Sequence, residues 1–265
     1  MTVAIAACLP RPRSHWGLAT GKPAMVLMTD SRFSFAASDP LDSGRKIYTL
    51  ASNAGLVFSG DVQAAQRAER YIRTYLERRH SKLPSDSLGD FAKLFGQAYQ
   101  AKEDAKRNGL TVLVGVLEQS GATVFRFSHT NSFVPVRFGG IQAAGNRLVI
   151  ARFWEELIRL DEQDFAPGRS PGLTLEHSVL ALGCALKNAV DAFPESNVGG
   201  PLQLVIIDAN GAREETLAYM TFEGNSTMSD ATPTQFTTSL DKVNPHWVNA
   251  PRSEDSDDGE GSGFS

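Results

Sequence analysis

The sequence predicts an α+β protein in which two antiparallel sheets stack face to face, each covered on its outer side by a pair of helices. Three observations carry that expectation. Short apolar runs come in pairs separated by turn residues, as in antiparallel hairpins. Helical periodicity is confined to two blocks instead of following every strand, which does not suit a parallel sheet with alternating crossovers. The blocks run strands, two helices, strands, two helices, strands.

The elements follow in order. Val3 to Cys8 is apolar, Pro10, Pro12, Gly17, Gly21 and Pro23 mark a loop, and Ala24 to Met28 is apolar again before Thr29-Asp30-Ser31-Arg32. This reads as a hairpin. Ile47 to Leu50 and Gly55 to Ser59 make a second pair around Ser52-Asn53. After Gly60 the period changes: Val62, Ala65, Ala68, Tyr71, Ile72, Tyr75 and Leu76 share one helical face. A second helix spans about Leu88 to Lys106, with Phe91, Leu94, Phe95 and Ala98 on its apolar side, and Asn108-Gly109 stops it.

Leu110 to Leu117 and Thr123 to Phe127 are expected as strands, and Phe133 to Phe138 as a third. Leu148 to Leu160, with Phe153, Trp154, Leu157 and Ile158, is an amphipathic helix, and Leu175 to Phe193 is the fourth. Leu202 to Ile207 and Glu215 to Phe222 close a hairpin around Asn210-Gly211. Residues 1–223 are thus expected as one domain. The extension 224–265 loses periodicity, is rich in Ser, Thr, Asn and Pro, and is expected to be disordered from about Arg252.

The chain has 265 residues, 42% hydrophobic and 21% charged, with a formal charge of −4. The last fifteen residues hold five acids and one base, leaving a body balanced at 25 acids and 25 bases. A neutral body with an acidic tail does not suit a nucleic-acid partner. The Arg-rich stretch from Arg67 to Arg79 is interleaved with Glu69 and Glu77 and reads as a solvated helix face or a subunit contact. Two cysteines, Cys8 and Cys184, make neither a disulfide framework nor a metal cluster. They read as buried, reduced thiols. No apolar run has the length of a membrane span, and the start of the chain lacks a signal-peptide pattern. A cytoplasmic location is the resulting expectation. The five histidines show no paired ligand spacing, and Gly199-Gly200-Pro201 is no phosphate loop. Neither a metal nor an organic cofactor is expected.

Thr2 stands directly behind Met1. A small second residue favours removal of Met1, which would leave a hydroxyl and an α-amine on one terminal Thr, a nucleophile with its own base. Such a residue needs a neighbouring cation to lower the amine pKa from its reference value of about 7.7–8. It also needs a carboxylate to hold the cation and a backbone N–H for the oxyanion. Lys46, Asp30 and the Gly60 amide can fill these roles. Gly60 sits where a strand gives way to a helix, whose N-terminus favours an anion. Asp61 next to it reads as the helix N-cap.

The anchors are spaced. Asp30-Ser31-Arg32 is followed by Lys46, sixteen residues after the Asp, and Gly60-Asp61-Val62-Gln63-Ala64 begins fourteen residues after the Lys. In these motifs and separations the chain resembles the proteasome-type N-terminal-nucleophile hydrolases, over roughly Thr2 to Phe222. The resemblance implies a four-layer αββα sandwich. It implies Thr2 as nucleophile and base, Asp30 and Lys46 as charge partners, and Gly60 as oxyanion donor. It also implies a homo-oligomer of stacked rings acting as a threonine peptidase on peptides or unfolded proteins, with an unfoldase or adaptor as a further kind of partner. Two alternatives stand beside it: a catalytically silent ring subunit, and an amidase for small molecules.

Three departures from the family pattern mark the chain. The first hairpin carries an insertion with His15 and Trp16. In Gln142-Ala143-Ala144-Gly145, Ala144 stands where the family typically has a Ser close to the nucleophile. Late in the chain, Asp191-Ala192-Phe193 resembles the family's Asp-Ala-Tyr, but Pro194 to Val198, including Ser196, intervene before Gly199-Gly200. Asp191 and Ser196 enter as site candidates on that resemblance.

Overall fold

Val3–Leu9 (β1) and Ala24–Asp30 (β2) are buried at every residue, because each strand is covered on both faces. Their alternation sorts the side chains. Val3, Ile5, Ala7, Leu9, Ala24, Val26 and Met28 join one outer cluster. Ala4, Ala6, Cys8, Met25 and Leu27 face the opposite way, into a layer between two sheets. The computed structural model describes residues 2–9, 22–35, 38–41, 44–77, 82–83, 87–101, 109–164, 175–194 and 198–217. The expected insertion around His15 and Trp16, the candidate Ser196 and the extension 224–265 lie outside the described residues.

Phe33–Phe35 (β3) and Ser38–Leu41 (β4) form a small separate ribbon, followed by Ile47–Ala51 (β5) and Ala54–Gly60 (β6). Then come the helices Val62–Glu77 (α1) and Leu88–Gln100 (α2), and the strands Leu110–Glu118 (β7), Gly121–Ser128 (β8), Val136–Phe138 (β9) and Ile141–Gly145 (β10). Arg147–Asp164 (α3), Leu175–Asp191 (α4), Leu202–Asp208 (β11) and Gly211–Leu217 (β12) complete the order. Among the described residues two five-stranded sheets result, β10-β1-β2-β11-β12 and β5-β6-β7-β8-β9, with antiparallel pairing throughout.

Three apolar layers hold the sandwich together. Phe153, Leu157, Leu182, Leu186 and Val190 of α3 and α4 pack on Ile5, Val26 and Leu204. Ala68, Ile72, Phe91 and Phe95 of α1 and α2 pack on Leu56, Phe58, Val112 and Val114. Between the sheets, Met25, Leu27 and Val205 meet Ile47, Val57 and Leu113. Each fully buried Leu, Ile or Met is worth roughly 1.5–3 kcal/mol. The expected four-layer αββα sandwich is therefore the fold.

Several local expectations change. Tyr71 and Ile158, placed on apolar helix faces by periodicity, are 40% and 57% exposed. At helical spacing each lies at the margin of its stripe, while Ala64 occupies the buried side of α1. The strand expected from Phe133 begins only at Val136. Ser132 and Phe133 take left-handed φ values of 55° and 60°, which breaks the strand. This turns Phe133 onto Phe95 and Tyr99, at ring separations of 6.0 and 5.5 Å. The last hairpin closes directly, with Asp208 opposite Gly211, so β12 starts earlier than Glu215. Its charged residues hid it: Glu214 accepts from Arg45 Nη2 through both carboxylate oxygens at 2.9 Å and from the Thr49 amide at 2.9 Å. Cys8 behaves as expected of a buried thiol, since burial pushes its pKa up to about 11.

One buried carboxylate ties α3 to α4. Glu156 is bonded by Arg159 at 2.7 Å and Asn188 at 3.3 Å and paired with Arg152 at 2.5 Å. Burial alone would raise its pKa, but the hydrogen bonds from Arg159 and Asn188 and the charges of Arg159 and Arg152 outweigh it and bring it below the ordinary 4.5. A depressed acid contributes stability above its unfolded pKa and loses it as pH falls through the folded one. Glu156→Gln is expected to cost about 1–3 kcal/mol at neutral pH. Urea unfolding of both proteins should show that difference shrinking once the pH drops below the ordinary carboxylate range. A constant difference down to strongly acidic pH would remove the ionised carboxylate from the account.

Candidate active site

The ends of β1, β2, β6 and β10 meet at one end of the inter-sheet layer, and Thr2 lies there, 5% exposed. The backbone just behind it is pinned. The Thr2 carbonyl accepts from Ser59 Oγ and from the Asn146 amide, both at 3.1 Å. The Val3 amide donates to Asp30 Oδ1 at 2.9 Å. Gly145 makes the approach feasible: it has φ +129°, and a Cβ there would stand 1.8 Å from the Thr2 carbonyl oxygen. Only Gly fits.

Asp30 ends the central strand β2, and Lys46 stands just ahead of β5 in the other sheet. Both side chains are fully buried, and Lys46 Nζ donates to Asp30 Oδ2 at 2.8 Å. Lys46 also donates to the Arg32 carbonyl. Asp30 further accepts from the Gly199 amide at 3.3 Å. Burial pushes the Asp30 carboxyl above its ordinary value, while the Lys46 charge and hydrogen bond, then the Val3 and Gly199 amides, work against that shift. The pair thus bridges both sheets and reaches the 2–3 peptide.

The segment carrying Lys46 is held by a residue that sequence reasoning missed. Gln203, opposite Thr29 on β11, donates through Nε2 to the Gly44 carbonyl at 3.0 Å and accepts from the Lys46 amide at 3.1 Å. Nothing in Leu202 to Ile207 singles out one Gln as a clamp. Ser59 was also missed, although strand alternation places it on the same side as Val57, which faces the inter-sheet layer.

Gly60 ends β6 with φ +111°, and a Cβ there would meet the Gly109 carbonyl oxygen at 1.7 Å. Asp61 is the N-cap its position predicts: Oδ1 accepts from the Ala64 amide at 3.0 Å, and its own amide donates to the Gly109 carbonyl at 3.0 Å. The structure therefore brings Thr2, Asp30, Lys46 and the Ser59-Gly60 corner into one neighbourhood. Asp191 is hydrogen-bonded to none of these residues. That residue is exposed at the end of α4 and pairs with Lys187 one turn earlier. Ala144 is 3% exposed, opposite Ala4 in the inter-sheet layer, so β10 contributes a methyl group at that point. Among the described residues no group of His, Cys, Asp and Glu could hold a metal ion, and no helix is long and apolar enough to cross a membrane.

Ser59→Ala removes one of two donors to the Thr2 carbonyl. A neutral hydrogen bond is worth about 0.5–1.5 kcal/mol, so the fold should survive. With Thr2 in the role of nucleophile that the sequence suggests, turnover should fall roughly tenfold or more, because small displacements of a reacting group are costly. Unchanged kcat in this variant would mean that Asn146 alone fixes Thr2.

Two sheets lie face to face between helix pairs, and a buried Asp–Lys pair is hydrogen-bonded to the Val3 amide directly behind Thr2. The chain is 24% identical over 210 residues to Proteasome subunit beta 2 of Pyrobaculum aerophilum, covering 73% of this chain and 88% of that protein. No family model matches. The likeness to that subunit supports a proteasome-type N-terminal-nucleophile hydrolase family, at a distance.

Proposed function

We propose that the chain is a threonine-type amide hydrolase that cleaves peptides from within a ring-forming homo-oligomer, with Thr2 as nucleophile once Met1 is removed. The observation that carries this reading is the fully buried Lys46–Asp30 pair, bonded to the Val3 amide immediately behind Thr2. A buried ion pair is a poor source of stability. Its position behind a residue that carries both a hydroxyl and, when terminal, an amine gives it a chemical use.

The steps follow from the chemistry. The α-amine of Thr2 takes the proton from Oγ, and Oγ attacks the amide carbonyl. The positive charge of Lys46 favours the neutral, proton-accepting form of that amine. The Gly60 amide donates to the oxyanion as it develops. Collapse of the tetrahedral species breaks the C–N bond, and the leaving amine takes the proton held by the α-amine. Water then attacks the acyl-ester, its proton passing to the α-amine and on to Oγ, and the acid is released. Ring assembly is supported by the relation to a proteasome β subunit.

Ala144 favours one other reading, a ring subunit without the chemistry, because β10 offers no hydroxyl beside Thr2. A survey of peptide amides against small acyl-amides, run on wild type and Thr2→Ala, separates the possibilities. Thr2-dependent cleavage of peptides supports the peptidase. Thr2-dependent cleavage of small amides alone would make it an amidase, and no Thr2-dependent cleavage of either class would leave the silent subunit.

A further inference from the structure

His129 opens a short 3-10 turn, His129–Asn131, capped by Ser128, and it reaches back across the sheet to the start of β7. Its Nδ1 is 3.1 Å from the Leu110 amide and 3.1 Å from the Leu110 carbonyl oxygen. The ring also lies against Gly109: a Cβ built there would stand 2.7 Å from His129 Cε1 and 3.2 Å from Nε2. From the other side the ring rests on Tyr99 of α2, at a centroid separation of 5.7 Å. Tyr99 packs in turn on Phe133 at 5.5 Å. The imidazole is thus wedged between the helix layer and the Gly109–Leu110 peptide.

That peptide is the surface on which the Gly60 corner is built. The Gly109 carbonyl accepts from the Asp61 amide at 3.0 Å, and Leu110 pairs with Gly60 in the β6–β7 register. The same carbonyl oxygen occupies the space a Gly60 side chain would need, at 1.7 Å. A shift of Gly109 therefore moves Gly60 and Asp61 together. None of the proposed catalytic groups bonds to His129 directly.

We propose that His129 is a positioning residue for the Gly60–Asp61 corner: its ring and its Nδ1 hold the Gly109–Leu110 peptide, and that peptide sets the direction of the Gly60 amide. The role rests on the reading of Gly60 as oxyanion donor. With the proton on Nε2, Nδ1 accepts from the Leu110 amide. Asn can reproduce this acceptor, because its Oδ1 sits at the same branch position as Nδ1. Ala cannot.

The test uses the full-length protein as wild type, His129→Ala and His129→Asn, with two readouts. One is hydrogen exchange of the Asp61 amide, and the other is the kcat and KM for a fluorogenic peptide amide. In His129→Ala, exchange is expected to rise at least about tenfold, and kcat to fall about tenfold or more with KM nearly unchanged. His129→Asn should restore both. Wild-type exchange and kcat in His129→Ala would overturn the proposal, as would a deficit that Asn fails to restore.

A second variant guards against simple unfolding. Gly109→Ala pushes a methyl group into the ring and should loosen Asp61 in the same way, and adding His129→Ala should relieve that strain. Independent, additive effects would overturn the wedge. If Thr2→Ala keeps wild-type turnover, the hydrolase reading itself fails, and Asp61 exchange still decides whether His129 holds the corner.

Discussion

Thr2→Ala is expected to abolish turnover, by about 10⁴-fold or more, while leaving fold and assembly intact. The size of the effect follows from the proposed roles, since Oγ would be the attacking atom and no neighbouring group replaces it. Ser59, the described side chain bonded to residue 2, donates to its carbonyl, so its hydroxyl is engaged behind the reacting atoms. The structural cost should be small. The backbone contacts of residue 2, from Ser59, Asn146 and through Val3 to Asp30, do not involve its side chain. Native mass and a peptide-amide assay on the same preparation check both halves of the expectation. Normal assembly with full turnover would sink the nucleophile assignment.

Lys46→Ala is expected to do damage of two kinds. Asp30 would be left fully buried with only the Val3 and Gly199 amides against burial. Removing one partner of a buried pair costs about 3–5 kcal/mol, so unfolding should shift markedly. Activity should be lost at neutral pH as well, because in the proposed mechanism Lys46 is the cation that lowers the α-amine pKa, and without it that pKa would rise. Raising the pH should then recover part of the rate as that amine deprotonates. Lys46→Met, which keeps the bulk, separates packing from charge. If Lys46→Met retains turnover at neutral pH, Lys46 has no place in the chemistry.

Much of the fold was legible because the inner strands of this sandwich answer to two apolar layers. Val3 to Cys8 and Ala24 to Met28 are apolar throughout, and they are buried on both faces. The elements that escaped notice lack that signature. Ile141–Gly145 is a five-residue edge strand that ends in Ala143, Ala144 and Gly145 and pairs with β1. The start of Gly211–Leu217, expected only from Glu215, was hidden because Arg213 and Glu214 of this edge strand spend their charge on ion pairs with Asp208 and Arg45. Phe133 looked like strand because an aromatic in an apolar run fits a sheet, yet its left-handed backbone turns it into the α2 core.

The candidate site divides in the same way. Thr2, Asp30, Lys46 and Gly60 could be named as candidates because their chemistry and spacing are written in the chain. The residues that place them were not. Ser59, Gln203, Gly145 and His129 act through contacts between segments far apart in sequence, at |i−j| of 57 for Ser59 with Thr2 and 159 for Gln203 with Gly44. A hydroxyl, an amide, a glycine and an imidazole are too common to be singled out before the fold brings them together. Asp191 shows the converse: a motif match placed it near the chemistry, while the end of α4 gives it Lys187 and solvent.

The most direct test of the central claim is the intact mass of the purified protein before and after exposure to a peptide epoxyketone, an electrophile that needs an amine and a hydroxyl on the same terminal residue. The account requires a chain lacking Met1 that gains one adduct, with the adduct on Thr2 and none in Thr2→Ala. A chain that keeps Met1, or a processed chain that gains no adduct, would contradict it.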